Sequence, residues 1–125
     1  MVKSFIPLFF FFVSISCSEE ETTARKYPRV HTLDVSQITK EGMALHGEIF
    51  FTPGPVSDHG FVWSNAGFPT VSNSTKLSLG ARDGIGSFEG TASTTFEYGK
   101  TYSVRAYAQS SGFTVYGEII EFVAP

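Results

Sequence analysis

In the stretch Gly99-Lys-Thr-Tyr-Ser-Val-Arg-Ala-Tyr-Ala108, Tyr102, Val104, Ala106 and Ala108 alternate with Ser103, Arg105, Tyr107 and, one residue on, Gln109. A period of two sets the first group on one face of a strand and the second on the other. The first group reads as facing a core, and Tyr107 as facing outward. The same alternation recurs upstream, where Met43, Leu45, Gly47, Ile49 and Phe51 alternate with Ala44, His46, Glu48 and Phe50, and where Phe61 and Trp63 frame Val62. Nowhere do apolar residues recur at helical spacing for two full turns. The runs are separated by Thr52-Pro-Gly-Pro55, Ser64-Asn-Ala-Gly67, Arg82-Asp-Gly-Ile-Gly86, Tyr98-Gly99 and Gln109-Ser-Ser-Gly112, in which Gly and Pro supply turn dihedrals. About seven strands follow, near 29–35, 43–51, 60–64, 77–79, 87–92, 101–108 and 114–122.

Seven short strands in about 95 residues predict an all-β chain folded as a two-sheet, immunoglobulin-like sandwich. The last two strands, with Ser111-Gly112-Phe113-Thr-Val-Tyr-Gly117 and Ile120-Glu-Phe122, and the central Gly60-Phe-Val-Trp-Ser64 resemble the fibronectin type III-like modules of Bacteroidota surface proteins. The resemblance extends from about Val30 onward and implies a seven-stranded β-sandwich. It also implies that Tyr102 is a corner tyrosine, its ring buried and its hydroxyl returned to nearby backbone, with Phe96 under the same crossover. Trp63 lies on the third strand, where the better-known animal modules carry a tryptophan on the second.

The N-terminus reads differently. Met1-Val2-Lys3 precedes a short apolar run from Phe5 to Val13, then Ser14-Ile15-Ser16 and Cys17, the single cysteine of the chain. One positive charge, a short apolar core and small residues before a cut site describe a secretory signal peptide. The apolar run is shorter than the ~20 residues a bilayer span needs. The arrangement resembles the lipobox of bacterial lipoproteins, which implies cleavage before Cys17 and acylation of its thiol. Two acyl chains hold a protein stably on a membrane where one does not. Ser18, Glu19, Glu20 and Glu21 then form an acidic stretch with nothing apolar to pack on, a solvated tether. This run resembles the surface-export signal of Bacteroidota-type lipoproteins, implying an outer-membrane protein that faces outward. The expected organisation is a signal peptide over 1–16, a lipidated tether over 17–29 and a fibronectin type III-like domain over 30–125. An N-terminal signal and a last strand running to Ala124-Pro125 read as a free-standing protein.

About 109 of the 125 residues remain after cleavage, enough for one domain of ordinary size. Five of the thirteen Phe residues fall in the signal peptide, so the mature core is less rich than the whole-chain composition suggests. The net charge of −3 and the lack of a basic stripe argue against a nucleic-acid partner. A lone cysteine excludes an internal disulfide. His31, His46 and His59 fall on different predicted strands, which is not the local ligand spacing of a metal site. No serine sits in a Gly-Xaa-Ser-Xaa-Gly elbow. The loop Gly80-Ala-Arg-Asp-Gly-Ile-Gly86 precedes a strand, so no helix N-terminus is there to cradle phosphate. Asn73-Ser-Thr75 has the form of a glycosylation sequon, which carries no meaning in a bacterial lipoprotein.

No catalytic residue, metal or cofactor is therefore expected. The candidate binding surface is aromatic, formed by Phe50 and Tyr107 on outer faces and Phe113 in the last connection, near the 52–55 turn. The expected function is that of a non-enzymatic cell-surface lipoprotein whose sandwich binds a protein or glycan, or serves as a structural module. The alternatives are an accessory glycan-binding lipoprotein of a polysaccharide-uptake system and, third, a small hydrolase, which would need a convergent His, Asp and Ser or a metal cluster.

Overall fold

The computed structural model describes residues 27–125. The expected signal peptide, Cys17 and the acidic run Ser18, Glu19, Glu20 and Glu21 lie outside the described residues. Every described element is a strand: β1 (Arg29–Thr39), β2 (Gly42–Phe51), β3 (Val56–Ser64), β4 (Thr75–Arg82), β5 (Gly86–Ser93), β6 (Thr101–Ser110), β7 (Phe113–Tyr116) and β8 (Ile120–Val123). One sheet has the order β1-β2-β5, the other β4-β3-β6-β7 with β8 also on β6, and every pairing is antiparallel. The two sheets pack as a sandwich compatible with an immunoglobulin- or fibronectin type III-like fold.

There are eight strands where seven were expected, because the run 114–122 is broken. β7 pairs with the second half of β6 and β8 with the first half, so together they fill one strand position. At the break the Gly117 N–H still donates to the Ala106 carbonyl (2.8 Å), after which the chain leaves the ladder. The Ala106 N–H is taken by the Thr32 hydroxyl from β1 (2.9 Å), so no buried donor is stranded. Only glycine fits at position 117, since a Cβ there would lie 2.6 Å from both the backbone N and Oγ1 of Thr32. β3 and β4 are also longer than the apolar pattern suggests, because their added residues are mostly polar or exposed.

Alternation fills the interior as the physics of a two-faced sheet requires. Leu45 and Ile49 from β2 meet Phe61 from β3 and Val104 and Ala106 from β6, all fully buried, each large side chain worth roughly 1.5–3 kcal/mol of burial. Trp63 lies in the same cluster. Tyr102 is buried, its hydroxyl accepts the Glu97 N–H (2.9 Å), and Phe96 meets its ring edge-on at 4.9 Å. The crossover 94–100 is thereby tied to the core, and Thr94 and Phe96 also donate backbone N–H groups to Glu41 and Lys40.

This topology gives the sandwich two distinct ends. Arg29 pairs with Phe51, so the chain enters beside the 52–55 turn. The turns 83–85 and 111–112 lie at the same end, because Ile49 pairs with Gly86 and Ser110 with Phe113 while the Ser110 hydroxyl donates to the Pro55 carbonyl. The turn 40–41 and the connections 65–74 and 94–100 close the opposite end. A strand the length of β2 separates the two by about 30 Å.

Candidate functional site

Of the three aromatics expected at the surface, Tyr107 is a correction. It projects from β6 away from the inner cluster, as the alternation required, yet it is fully buried. Its ring lies over Gly60, where a Cβ would come within 3.2 Å of it. Lys76 Nζ sits 5.9 Å from the ring centre on another side, and Tyr116 is its cross-strand neighbour. The hydroxyl donates to Asp58 Oδ2 (2.7 Å), while Asp58 Oδ1 accepts from the Ser78 hydroxyl (2.6 Å) and the Gly80 N–H (3.2 Å). Burial, the bond to Asp58 and the Asp58 charge all push the Tyr107 phenol well above its ordinary value. Burial of Asp58 works against its ionisation, but the bonds from Ser78, Tyr107 and Gly80 and the charge of Lys76 outweigh it and hold the carboxyl below its usual range. Tyr107 thus belongs to a satisfied polar network and offers no surface to a ligand.

His59 neighbours Asp58 in sequence but turns inward, against Phe88 at 4.8 Å. Its Nδ1 donates to the Gly80 carbonyl (2.6 Å), because a carbonyl can only accept. Burial holds the imidazole below its ordinary value against that bond. Asp58, His59 and Ser78 therefore do not form a relay, since Ser78 bonds the carboxylate directly. Among the described residues no group of three His, Cys, Asp or Glu side chains could hold a metal.

Phe50 and Phe113 are both partly exposed, at the entry end. Phe50 stacks on His31, with centroids 4.1 Å apart, and the Arg29 guanidinium lies 6.0 Å from its ring centre. Phe113 is met edge-on by Tyr27 at 4.5 Å. Beside Phe50 runs an open groove of about 760 Å³ along the β1 edge, walled by Tyr27, His31, Phe50, Tyr116 and Glu118 among others. Glu118 spans its floor, accepting from the Thr32 N–H (2.9 Å) and meeting His31 Nδ1 (2.8 Å). Burial alone would raise the Glu118 carboxyl, but bonds from its own backbone, Thr32 and His31 hold it low. Pro28 is fully buried and Tyr27 packs against Phe113, so the groove is built partly by the incoming chain.

The opposite end holds a second recess, of about 510 Å³, between the connections 65–74 and 94–100. Its wall is fixed by the loop's own side chains: Thr70 N–H donates to Asn73 Oδ1 (2.9 Å) and Ser74 Oγ (3.0 Å). The loop is also pinned to the sheet. Arg105 donates through Nε to the Pro69 carbonyl (2.9 Å) while stacking on Tyr116 at 4.0 Å, and the Tyr116 hydroxyl accepts the Val71 N–H (3.0 Å). Residues of this recess include Trp63, Asn65, Asn73, Thr94, Thr95 and Tyr102. None was singled out from sequence as a binding residue, although 65–74 is rich in Asn, Ser and Thr and 94–100 opens on two Thr residues.

No known protein family matches the chain, and no curated protein proves similar to it.

Proposed function

We propose that the protein is a non-enzymatic, lipid-anchored cell-surface protein of the outer membrane, whose fibronectin type III-like sandwich is a single binding module. The observation that carries this reading is the separation of the two ends. The chain enters beside the 52–55 turn, and the recess between 65–74 and 94–100 opens at the opposite end. A domain held through Cys17 turns its entry end, with Phe50 and Phe113, toward the membrane and presents the far recess outward. Preformed recesses with locked walls suit binding because little ordering entropy remains to be lost when a ligand arrives.

Two experiments test the anchoring. Metabolic labelling with a fatty acid should mark the wild type and not Cys17→Ala, and the variant should leave the membrane fraction. Replacing Glu19, Glu20 and Glu21 with Ala should protect the protein from protease added to whole cells. An unlabelled wild type, or equal digestion of both chains, contradicts the corresponding part of the proposal.

A further inference from the structure

We infer that the recess between 65–74 and 94–100 is a carbohydrate site that takes an uncharged sugar; this rests on the binding-module reading and names its ligand. The first ground is the charge of the lining. None of the side chains around the recess is a carboxylate, ammonium, guanidinium or imidazole. A nucleotide, a phosphate or an acidic saccharide would enter without a compensating cation.

The second ground is spare hydrogen-bonding capacity. Among the described residues, the Asn65 amide and the hydroxyls of Thr75, Thr94 and Thr95 have no protein partner. Asn73 uses its Oδ1 to accept from Thr70 N–H and from the Ser74 hydroxyl. That fixes the orientation of its amide and leaves both Nδ2 hydrogens free. Hydroxyls that donate and accept, beside amides that do both through separate atoms, complement a ring of sugar hydroxyls. An apolar ligand would leave them unpaired, at a loss of affinity.

The third ground is the aromatic component. Trp63 and Tyr102 close the base of the recess but are themselves buried, so the aromatic faces open to a ligand are those of Phe68 and Tyr98, 75% and 86% exposed, on the two connections that wall it. Aromatic faces supply the apolar contact that the C–H faces of a sugar ring need. A volume of about 510 Å³ falls within the roughly 300–1,000 Å³ of small-molecule sites.

Trp63 is the only tryptophan in the chain, so its emission reports on this recess directly. The detergent-solubilised lipoprotein is titrated with maltohexaose, cellohexaose, xylohexaose, mannohexaose and, as the acidic probe, a galacturonate hexamer. At least one neutral hexamer should change Trp63 emission saturably, with an affinity that 0.5 M NaCl leaves unchanged. Asn65→Ala and Thr95→Ala remove exposed side chains without internal bonds, so each should weaken that affinity tenfold or more while the denaturation midpoint stays put. Silence with all five probes overturns the inference, as does a response to the galacturonate hexamer alone. Binding that Phe50→Ala abolishes and Asn65→Ala spares also overturns it, but leaves the binding-module reading standing.

Discussion

The two ends of the sandwich are closed by different means. At the entry end the connections are tight and satisfy themselves: the Thr52 hydroxyl bonds Gly54 on both sides of its backbone, and Ser111-Gly112 forms a two-residue turn with φ of 49° and 83°. They leave Ile85 exposed beside Asp83 and Ser111, next to the half-exposed Phe113 at the start of β7. At the far end, beside the short 40–41 turn, the connections 65–74 and 94–100 are longer, are pinned at a few points by Arg105, Tyr116 and Tyr102, and leave polar groups unspent. A short turn uses its donors and acceptors to reverse the chain, whereas a longer loop held at a few points has some left for a ligand.

Substitutions can break this contrast. The largest effect is expected at the far end, where Trp63→Ala empties a buried volume that also lines the recess. It should cost on the order of 3–5 kcal/mol in denaturant unfolding, and a loss under 1 kcal/mol would show that the far end is not anchored on this ring. Tyr107→Phe should cost about 1.5–3 kcal/mol, because the buried hydroxyl donates to a carboxylate. Tyr102→Phe should cost less, about 0.5–1.5 kcal/mol, because its bond is to a neutral backbone amide. The reverse order would place the greater burden on the corner tyrosine. At the entry end, Ile85→Ser should stay within about 0.5 kcal/mol, as exposed positions without partners do.

A smaller effect depends on pH. Burial depresses the folded-state value of His59 below its ordinary 6.5, so the unfolded chain binds the proton more readily. The stability from the neutral ring is present above pH 6.5 and is lost as pH falls through the lower, folded value. Denaturation midpoints taken downward from pH 7.5 should therefore decline in the wild type, with a flatter slope in His59→Gln. Equal slopes would assign the decline to other groups.

How much of this the sequence discloses depends on how far apart the partners lie. The alternation through Tyr102, Val104, Ala106 and Ala108 is local, and the inner face of β6 follows from it directly. The break between β7 and β8 is not local, because its cause is Thr32, which bonds Ala106 and Glu118 from 74 and 86 residues away. Tyr107 shows the same limit. Its face is legible in the alternation, but its burial depends on Gly60, Lys76 and Asp58, contributed by two other strands. The far recess unites Asn65 with Thr95 from two connections far apart in sequence, so neither residue alone points to it.

The most direct measurement follows from the proposed acylation of Cys17, which would leave the chain no free thiol. Asn65→Cys at the far end and Pro53→Cys at the entry end are each expressed in the full chain, and intact cells are exposed to a membrane-impermeant maleimide. The account predicts prompt labelling of Asn65→Cys without lysis and slower labelling of Pro53→Cys. Labelling of Asn65→Cys only after lysis, or faster labelling at Pro53→Cys, would contradict it.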